Sequence, residues 1–425
     1  MKKVKFLGIL GIFALAASCA STGSVNPPDA SVEAKALPFS VNRIYIANVT
    51  PPSVTVVDLD TFNDANPVVY PVYFKGIEDK QQSHLISVSK DGRYIWLSEN
   101  ISKNAGYVQV VDARTFEIVK TWDVGAGVGT HISHDGKWGF FASEKTTNPN
   151  INVFDIENQR YLGYIELGGW PHNFDTNADG TRLYTTKYPG NILYEYDISG
   201  LAAIAAATTA DQLGVKLPVT PLRSFESDGG TSCHAVLVYP NGKYLIFGSY
   251  TAGPDGSVIG SQAFDTFLDL TSDKIVEVAK IPGGNHNYEI SPDGKYFFSS
   301  DWNAQSCNVE DYLKTLAAFK AADIKIDHPL LRYVDVSTLG SDNPDYSTIK
   351  IVGYLDGKDL GYANNSPMSH QIYDPSGKYF FVTTIQLEDK AKGELLVLDG
   401  RSWRVLKSIP LPTNPHGLSL PAYGR

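Results

Sequence analysis

Along most of the chain, apolar and polar residues alternate in short runs instead of forming helical stripes. Segments such as YVQVVDART, NINVFDIEN, NILYEYDIS, LLRYVDVST and ELLVLDGRS switch character at nearly every residue and carry an acid near their end. That is the period of a strand with two faces. Each run follows a turn of one kind: SKDGRYIWLSE at 89–99, SHDGKWGFFAS at 133–143, NADGTRLYTTK at 177–187, YPNGKYLIFGS at 239–249, SPDGKYFFSSD at 291–301 and DPSGKYFFVTT at 374–384. Asp-Gly and Asn-Gly are strong hairpin signals because glycine accepts the positive φ of a tight turn. A further strand completes each unit, as in EIVKTWDVG or RVLKSIPLP. Four strands repeating every 41 to 62 residues, with one unit stretched to 84 by an insertion, predict the blades of a β-propeller.

The two ends complete the repeat. Residues 42–74 supply three outer strands without an inner one, and the C-terminal HGLSLPAYG supplies an inner strand with nothing after it. Together they make one blade, and six others lie between, so the expected fold is an all-β, seven-bladed β-propeller over 38–425. Two helical insertions are expected, an Ala-rich one near 200–212 and the amphipathic NVEDYLKTLAAFKAADI at 308–324, which would cover one face. No mid-chain stretch reads as a linker between domains.

Composition agrees with a globular β protein: of 425 residues, 43% are hydrophobic and 19% charged, with abundant Tyr, Phe and Gly. A net charge of −10 without a basic stretch argues against nucleic acid as a partner. Residues 1–18 read as an export signal: Lys2, Lys3 and Lys5 precede a 12-residue apolar run at 6–17, too short to span a bilayer. The run ends in LAASC, which resembles a lipobox with Cys19 as the lipidated residue, a plain secretory signal being the alternative. Residues 19–37 then read as a flexible tether, and the expected location is the periplasm of a bacterium, with the membrane touched only through the lipid. Loss of the three lysines takes the charge to −13. Of the remaining cysteines, Cys233 and Cys307 suggest a disulfide worth ~4 kcal/mol in an oxidising compartment. Because Cys233 directly precedes His234, sulfur ligation of a metal is the other reading.

The chemistry lies in one column of the repeat. His84, His172, His234, His286 and His416 each stand eight residues before a turn glycine, Gly92, Gly180, Gly242, Gly294 and Gly424. His370 stands seven before Gly377, and His131 five before Gly136, the place taken by Glu289 in another blade. The other two histidines, His134 and His328, read as turn and insertion residues. A single Pro-His before an inner strand is ordinary propeller structure, but packing rarely demands one titratable group from every blade. Neutral imidazole is the commonest protein metal ligand, and a ring of them suits copper or zinc. A second, polar column lies seven residues after the glycine: Asn48, Glu99, Ser143, Lys187, Ser249, Asp301 and Thr384, with Glu144 and Lys145 next to it. Its carboxylates could orient the imidazoles.

The stretch PHNFDTNADGTRLYTTKYPGNILYEYDIS resembles a blade of the copper-cluster propeller of nitrous oxide reductases, and THISHDGK is similar to a shortened histidine strand in that family. The chain departs from it in carrying no C-terminal cupredoxin domain, which sets nitrous oxide reduction aside. It is also similar to thiocyanate dehydrogenases, secreted propellers with a histidine-bound copper centre and no cupredoxin domain. That resemblance implies one or more copper ions held by several of His84, His131, His172, His234, His286, His370 and His416. It implies oxidation of a small inorganic molecule or anion, with electrons passed to a carrier such as a c-type cytochrome. Lys187, Lys145, Glu99 and Asp301 are then the candidates for holding the anion or moving protons. Two other classes stay open: periplasmic lipoproteins that carry d1-type haem, and lactone-hydrolysing or ligand-binding propellers. Lactonases favour carboxylate and Asn ligands for a hard cation, against which the histidine column argues.

Overall fold

The computed structural model describes residues 42–49, 52–59, 68–71, 82–102, 105–143, 149–188, 190–227, 229–230, 232–251, 262–282, 285–300, 320, 329–356, 368–385, 392–411 and 414–421. They form seven antiparallel four-stranded sheets. In chain order, blade 1 covers 82–123, blade 2 126–166, blade 3 170–226, blade 4 232–282, blade 5 288–356 and blade 6 368–411. Blade 7 takes its innermost strand, Pro415–Ser419, from the C-terminus and its outer three from the N-terminal 43–71, with Tyr45 opposite Ser419 and Ile46 opposite Leu418. The expected seven-bladed propeller, closed by both ends of the chain, is what the structure has. Closure leaves no sheet edge exposed at the seam.

The turn signals fold as their chemistry dictates. All six of the turn glycines from Gly92 to Gly377 have φ between 66° and 82°. In three of the turns a serine carries the geometry. Ser89 donates to Asp91 while its oxygen accepts from the Tyr94 amide, and Ser133 and Ser291 repeat this with Asp135 and Trp138, and with Asp293 and Tyr296. Such local bonds fix where each inner strand ends and therefore where its other end stands.

Alternate residues of each strand pack against the preceding and the following blade, so the core is a set of interblade layers. Between blades 1 and 2, Trp96 stacks on Trp122 at 5.9 Å with Phe141, Phe154 and Tyr161 around them. Between blades 5 and 6, Phe298, Tyr333, Tyr373, Phe380 and Trp403 play the same part. The first expected insertion is a short helix, Leu201–Ala207, with Leu201 buried against blades 2 and 3. The export signal, Cys19, the tether and the expected insertion at 308–324 (Lys320 apart) lie outside the described residues. No helix among the described residues is long and apolar enough to cross a membrane.

Candidate functional site

A β-bulge near the start of the innermost strand recurs around the ring. In blade 3, Pro171 faces Lys187 and Phe174 faces Thr185, so His172 and Asn173 share one partner position. The same slip places His234 and Ala235 between the pairs Cys233–Ser249 and Val236–Phe247. It places Ser369 and His370 between Met368–Thr384 and Gln371–Val382. In blade 7, His416 and Gly417 fall between Pro415–Asn48 and Leu418–Ile46. In blade 1, His84 alone separates Ser83–Glu99 from Leu85–Ser98. In blade 5, the amide of His286 donates to the carbonyl of Ser300, whose own amide donates to Asn287. Bulges re-aim side chains and collect beside functional sites. The one-residue displacement of His370 in the sequence is its place as the second of the two bulged residues.

The six bulge histidines meet. Ring centroids lie 4.1 Å apart for His84–His416, 4.4 Å for His370–His416, 4.8 Å for His286–His370, 4.9 Å for His234–His286 and 3.6 Å for His172–His234. His234, His286, His370 and His416 are buried, while His84 and His172 keep partial exposure. Loss of hydration lowers the pKa of His84 and His234 to about 4 and of His370 to about 3. His172, His286 and His416 are also pushed well down, by burial first and by their imidazole neighbours second. All six are therefore neutral at pH 7, the form that ligates a metal. Nδ1 of His84 is buried with no hydrogen-bond partner among the described residues. Six imidazoles, each near the next around the ring, with an orphaned ring nitrogen on His84, are the donor chemistry of a soft or borderline cation. Among the described residues no three of their nitrogens lie within 4.8 Å of one another, so an ion would require the rings to close in. A bound imidazole nitrogen stands at about 2 Å from its ion, so one ion draws in three or four rings, and a ring this wide has donors for more than one.

Blade 2 breaks the pattern. Between Ala126–Ser143 and Thr130–Phe141 it has three residues, Gly127, Val128 and Gly129, against one, and none is a histidine. Gly129 is required by a close approach: a Cβ there would lie 2.3 Å from the carbonyl oxygen of His172. The two partly exposed ring histidines, His84 and His172, are the ones that flank this blade.

His131 belongs to a different group. Its Nε2 lies 3.7 Å from Oδ1 of Asp175 and 3.2 Å from the Thr176 hydroxyl, and Nε2 of His134 lies 2.7 Å from the same Asp175 oxygen. The structure thus brings six of the seven predicted ligands together and sets the seventh apart with His134, a buried residue of the Ser133–Gly136 turn, as expected, that also reaches Asp175. A sequence signal existed: Asp175 stands five residues before Gly180, as His131 does before Gly136, and the two blades are neighbours.

The polar column is mixed. Glu99 is fully buried beside the ring and accepts a hydrogen bond from Ser83, the residue before His84. Lys187 is half-buried, sits opposite Pro171 next to His172, and runs its methylenes across Gly169. Asn48 instead stitches its own sheet, to Ser53 and Thr55, and Ser249 ties the connection between blades 3 and 4 through the Gly229 carbonyl. Lys145, Asp301 and His328 lie outside the described residues. Cys233 is buried among Tyr184, Val236 and Phe247; its expected disulfide partner Cys307 lies outside the described residues. Burial pushes the Cys233 thiol up, which opposes a ligating thiolate, and its strand neighbour His234 turns to the ring while the sulfur turns to the interblade core.

Sequence reasoning also missed a buried ion pair behind His286. Arg332 is bidentate to Asp265, through Nε at 3.1 Å and Nη2 at 3.2 Å, and both are essentially without exposure. The hydroxyl of Tyr288 donates to Asp265, and Asn285 spans from Asp265 to the carbonyls of Ser249 and Phe264. Asn285 and Tyr288 bracket His286 in sequence, so this network fixes the backbone that carries it.

No protein-family model matches the chain, and no curated protein matches its sequence. Solved structures match its fold. The hydrazine synthase of Kuenenia stuttgartiensis is 19% identical over 83% of this chain and 94% of its own, at a TM-score of 0.53. The periplasmic gluconolactonase of Pseudomonas aeruginosa is 12% identical over 88% and 98%, at 0.55. A dihydro-haem d1 dehydrogenase is 14% identical over 93% and 79%, at 0.51. At such identities the likeness establishes the propeller and nothing finer.

Proposed function

We propose that this chain is a copper-dependent oxidoreductase of the bacterial periplasm, held to a membrane through a lipid on Cys19, acting on a small inorganic molecule or anion. The observation that carries this reading is the meeting of six neutral imidazoles, one from each of six blades, with centroid spacings of 3.6 to 4.9 Å between ring neighbours. His84, His172, His234, His286, His370 and His416 would hold the copper, which when bound supplies one-electron redox steps.

The chain's own residues then account for the rest. Imidazoles add no negative charge, so a cation among them keeps its positive charge in a site with little water, and an anion is the natural substrate. Approach is from the side of blade 2, where Gly127–Gly129 leave His84 and His172 partly exposed. Lys187 beside His172 adds a positive charge on that side, and Glu99 beside His84 offers a carboxylate to take a proton as the substrate is oxidised. Electrons leave to an external carrier of the c-type cytochrome class. The haem reading is less well supported, because a haem carrier would not need a histidine from each of six blades.

The test is metal analysis of protein purified without a His-tag and loaded with copper. At least one copper per chain is expected, falling in a His234→Ala, His286→Ala double variant. Less than one copper per chain removes the reading. A Soret band on adding d1-type haem to that same copper-free protein replaces it with the haem-carrier function.

A further inference from the structure

We infer that His131, His134 and Asp175 form a second metal site, distinct from the six-histidine ring and suited to zinc or a similar divalent ion. Their donor atoms, one from each residue, all lie within 4.8 Å of one another. Nε2 of His134 and Nε2 of His131 stand 2.7 and 3.7 Å from Oδ1 of Asp175. A tetrahedral zinc with ligands at about 2 Å holds its donor atoms roughly 3.3 Å apart. Both measured separations come to that value with a movement of about half an ångström.

The carboxylate is already aimed. Its Oδ1 accepts from the Thr176 amide at 2.9 Å and its Oδ2 from the Val238 amide of blade 4 at 2.7 Å. The Thr176 hydroxyl accepts from the His134 amide at 3.1 Å and lies 3.2 Å from Nε2 of His131. These are the outer contacts that orient ligands around a metal. Side-chain exposure is 7% for His134, 9% for Asp175 and 16% for His131, so the set is enclosed except on the His131 side. Two imidazoles and one carboxylate with an open fourth position are the donor set of a catalytic zinc.

The site is also local to one junction. The position five residues before the turn glycine holds His131 in blade 2 and Asp175 in blade 3, but Ser87, Leu237, Glu289, Ile372 and Ser419 in the other blades. No other pair of neighbouring blades offers two metal ligands there, and His134 adds the third. The junction adjoins blade 2, the blade without a ring histidine, so the pattern exchanges a ligand in the ring for a separate site below it.

The experiment uses the untagged full chain, stripped with a chelator and titrated with Zn²⁺, with bound metal counted after gel filtration. Asp175→Asn keeps the shape of the side chain and an acceptor for one of the Thr176 and Val238 amides, and His131→Gln alters a partly exposed position. Each is expected to lose one zinc equivalent per chain relative to the wild type. Substitution with Co²⁺ adds a direct readout, visible bands of a tetrahedral ion that are present in the wild type and absent in both variants. Equal zinc stoichiometry in wild type and His131→Gln overturns the site and leaves a hydrogen-bonded His-Asp pair that joins the blades. His131→Gln decides the matter if Asp175→Asn does not fold. The zinc difference is read whether or not the ring takes copper, so failure here and failure of the copper reading are separate results.

Discussion

Two histidine groups stand within one channel wall, and they differ in where the nearest negative charge sits. At the His131–His134–Asp175 group, the carboxylate touches both imidazoles directly. At the six-histidine ring, the nearer carboxylate, Glu99, stands beside His84 and accepts from Ser83, and Asp265 stands one layer back, already neutralised by Arg332, holding the backbone around His286. The first arrangement compensates a divalent cation on the spot. The second leaves the imidazoles with each other, which lowers their basicity and keeps the charge of any bound ion available to a substrate. One strand serves both, since His172 and Asp175 are three residues apart in Trp170–Thr176.

The contrast predicts unequal costs for removing the two carboxylates. Asp265→Ala strands a buried guanidinium and is expected to destabilise by about 3–5 kcal/mol. Asp175→Asn strands no buried guanidinium, but it keeps an acceptor for only one of the Thr176 and Val238 amides, and is expected to cost about 1–3 kcal/mol in the metal-free protein. Denaturant unfolding of the two variants measures both, and equal costs would break the comparison. Next in size is the acid response of the metal-free ring. His234 is 4% exposed and titrates at about 4 in the fold against 6.5 when unfolded. Its folded pKa is depressed, so the unfolded chain takes up the proton first. Stability is full above pH 6.5 and falls as the pH drops from 6.5 to about 4. That group alone contributes on the order of 3 kcal/mol over the window. Unfolding at pH 7 and pH 4.5 should show the slope, and His234→Gln should lessen it; an unchanged slope would show that His234 is not among its sources.

The repeat, the closure of the seventh blade and the histidine column were all legible in the sequence because each depends on spacing from a turn glycine whose φ the sequence dictates. What was not legible depends on contacts between blades. His131 shares the blade and the channel wall of the column, but only the three-residue bulge at 127–129 decides that no side chain from blade 2 enters the ring. Asp265 and Arg332 lie 67 positions apart and meet only when blades 4 and 5 pack. Where Cys233 points was also not legible, because the residues beside a bulge turn to opposite faces, His234 to the channel and Cys233 to the core. Of the polar column, Glu99 and Lys187 stand beside ring histidines, while Asn48 is spent on its own sheet and Ser249 on the connection to blade 3, a division set by contacts that spacing does not carry.

Blade 2 gives the next test. Gly129→Ala places a methyl against the His172 carbonyl, and overpacking of this kind costs about 1–3 kcal/mol. Because the pressure falls on the bulge that carries His172, copper at the ring should weaken as well as stability, whereas zinc at His131 should persist. Loss of both metals together would mean that the two groups are not independent.

The smallest effect belongs to Lys187, where exposure limits what a charge can do. It is half-buried, and its methylenes already have a structural use against Gly169, so a change there is expected to alter stability by less than about 1 kcal/mol. If its ammonium draws an anion to the ring, Lys187→Gln should weaken thiocyanate or azide binding to the copper-loaded protein by about 2- to 5-fold, the size expected of a partly solvated charge. Lys187→Arg should restore it, because the charge returns even though the shape does not. The two variants separate charge from packing, and salt sharpens the distinction: screening at high ionic strength should bring the wild type toward Lys187→Gln and leave that variant unmoved. Anion affinity that is the same in all three proteins at low salt would make Lys187 a strand-end lysine with no part in the site, leaving the positive charge of the bound ion as the sole attraction.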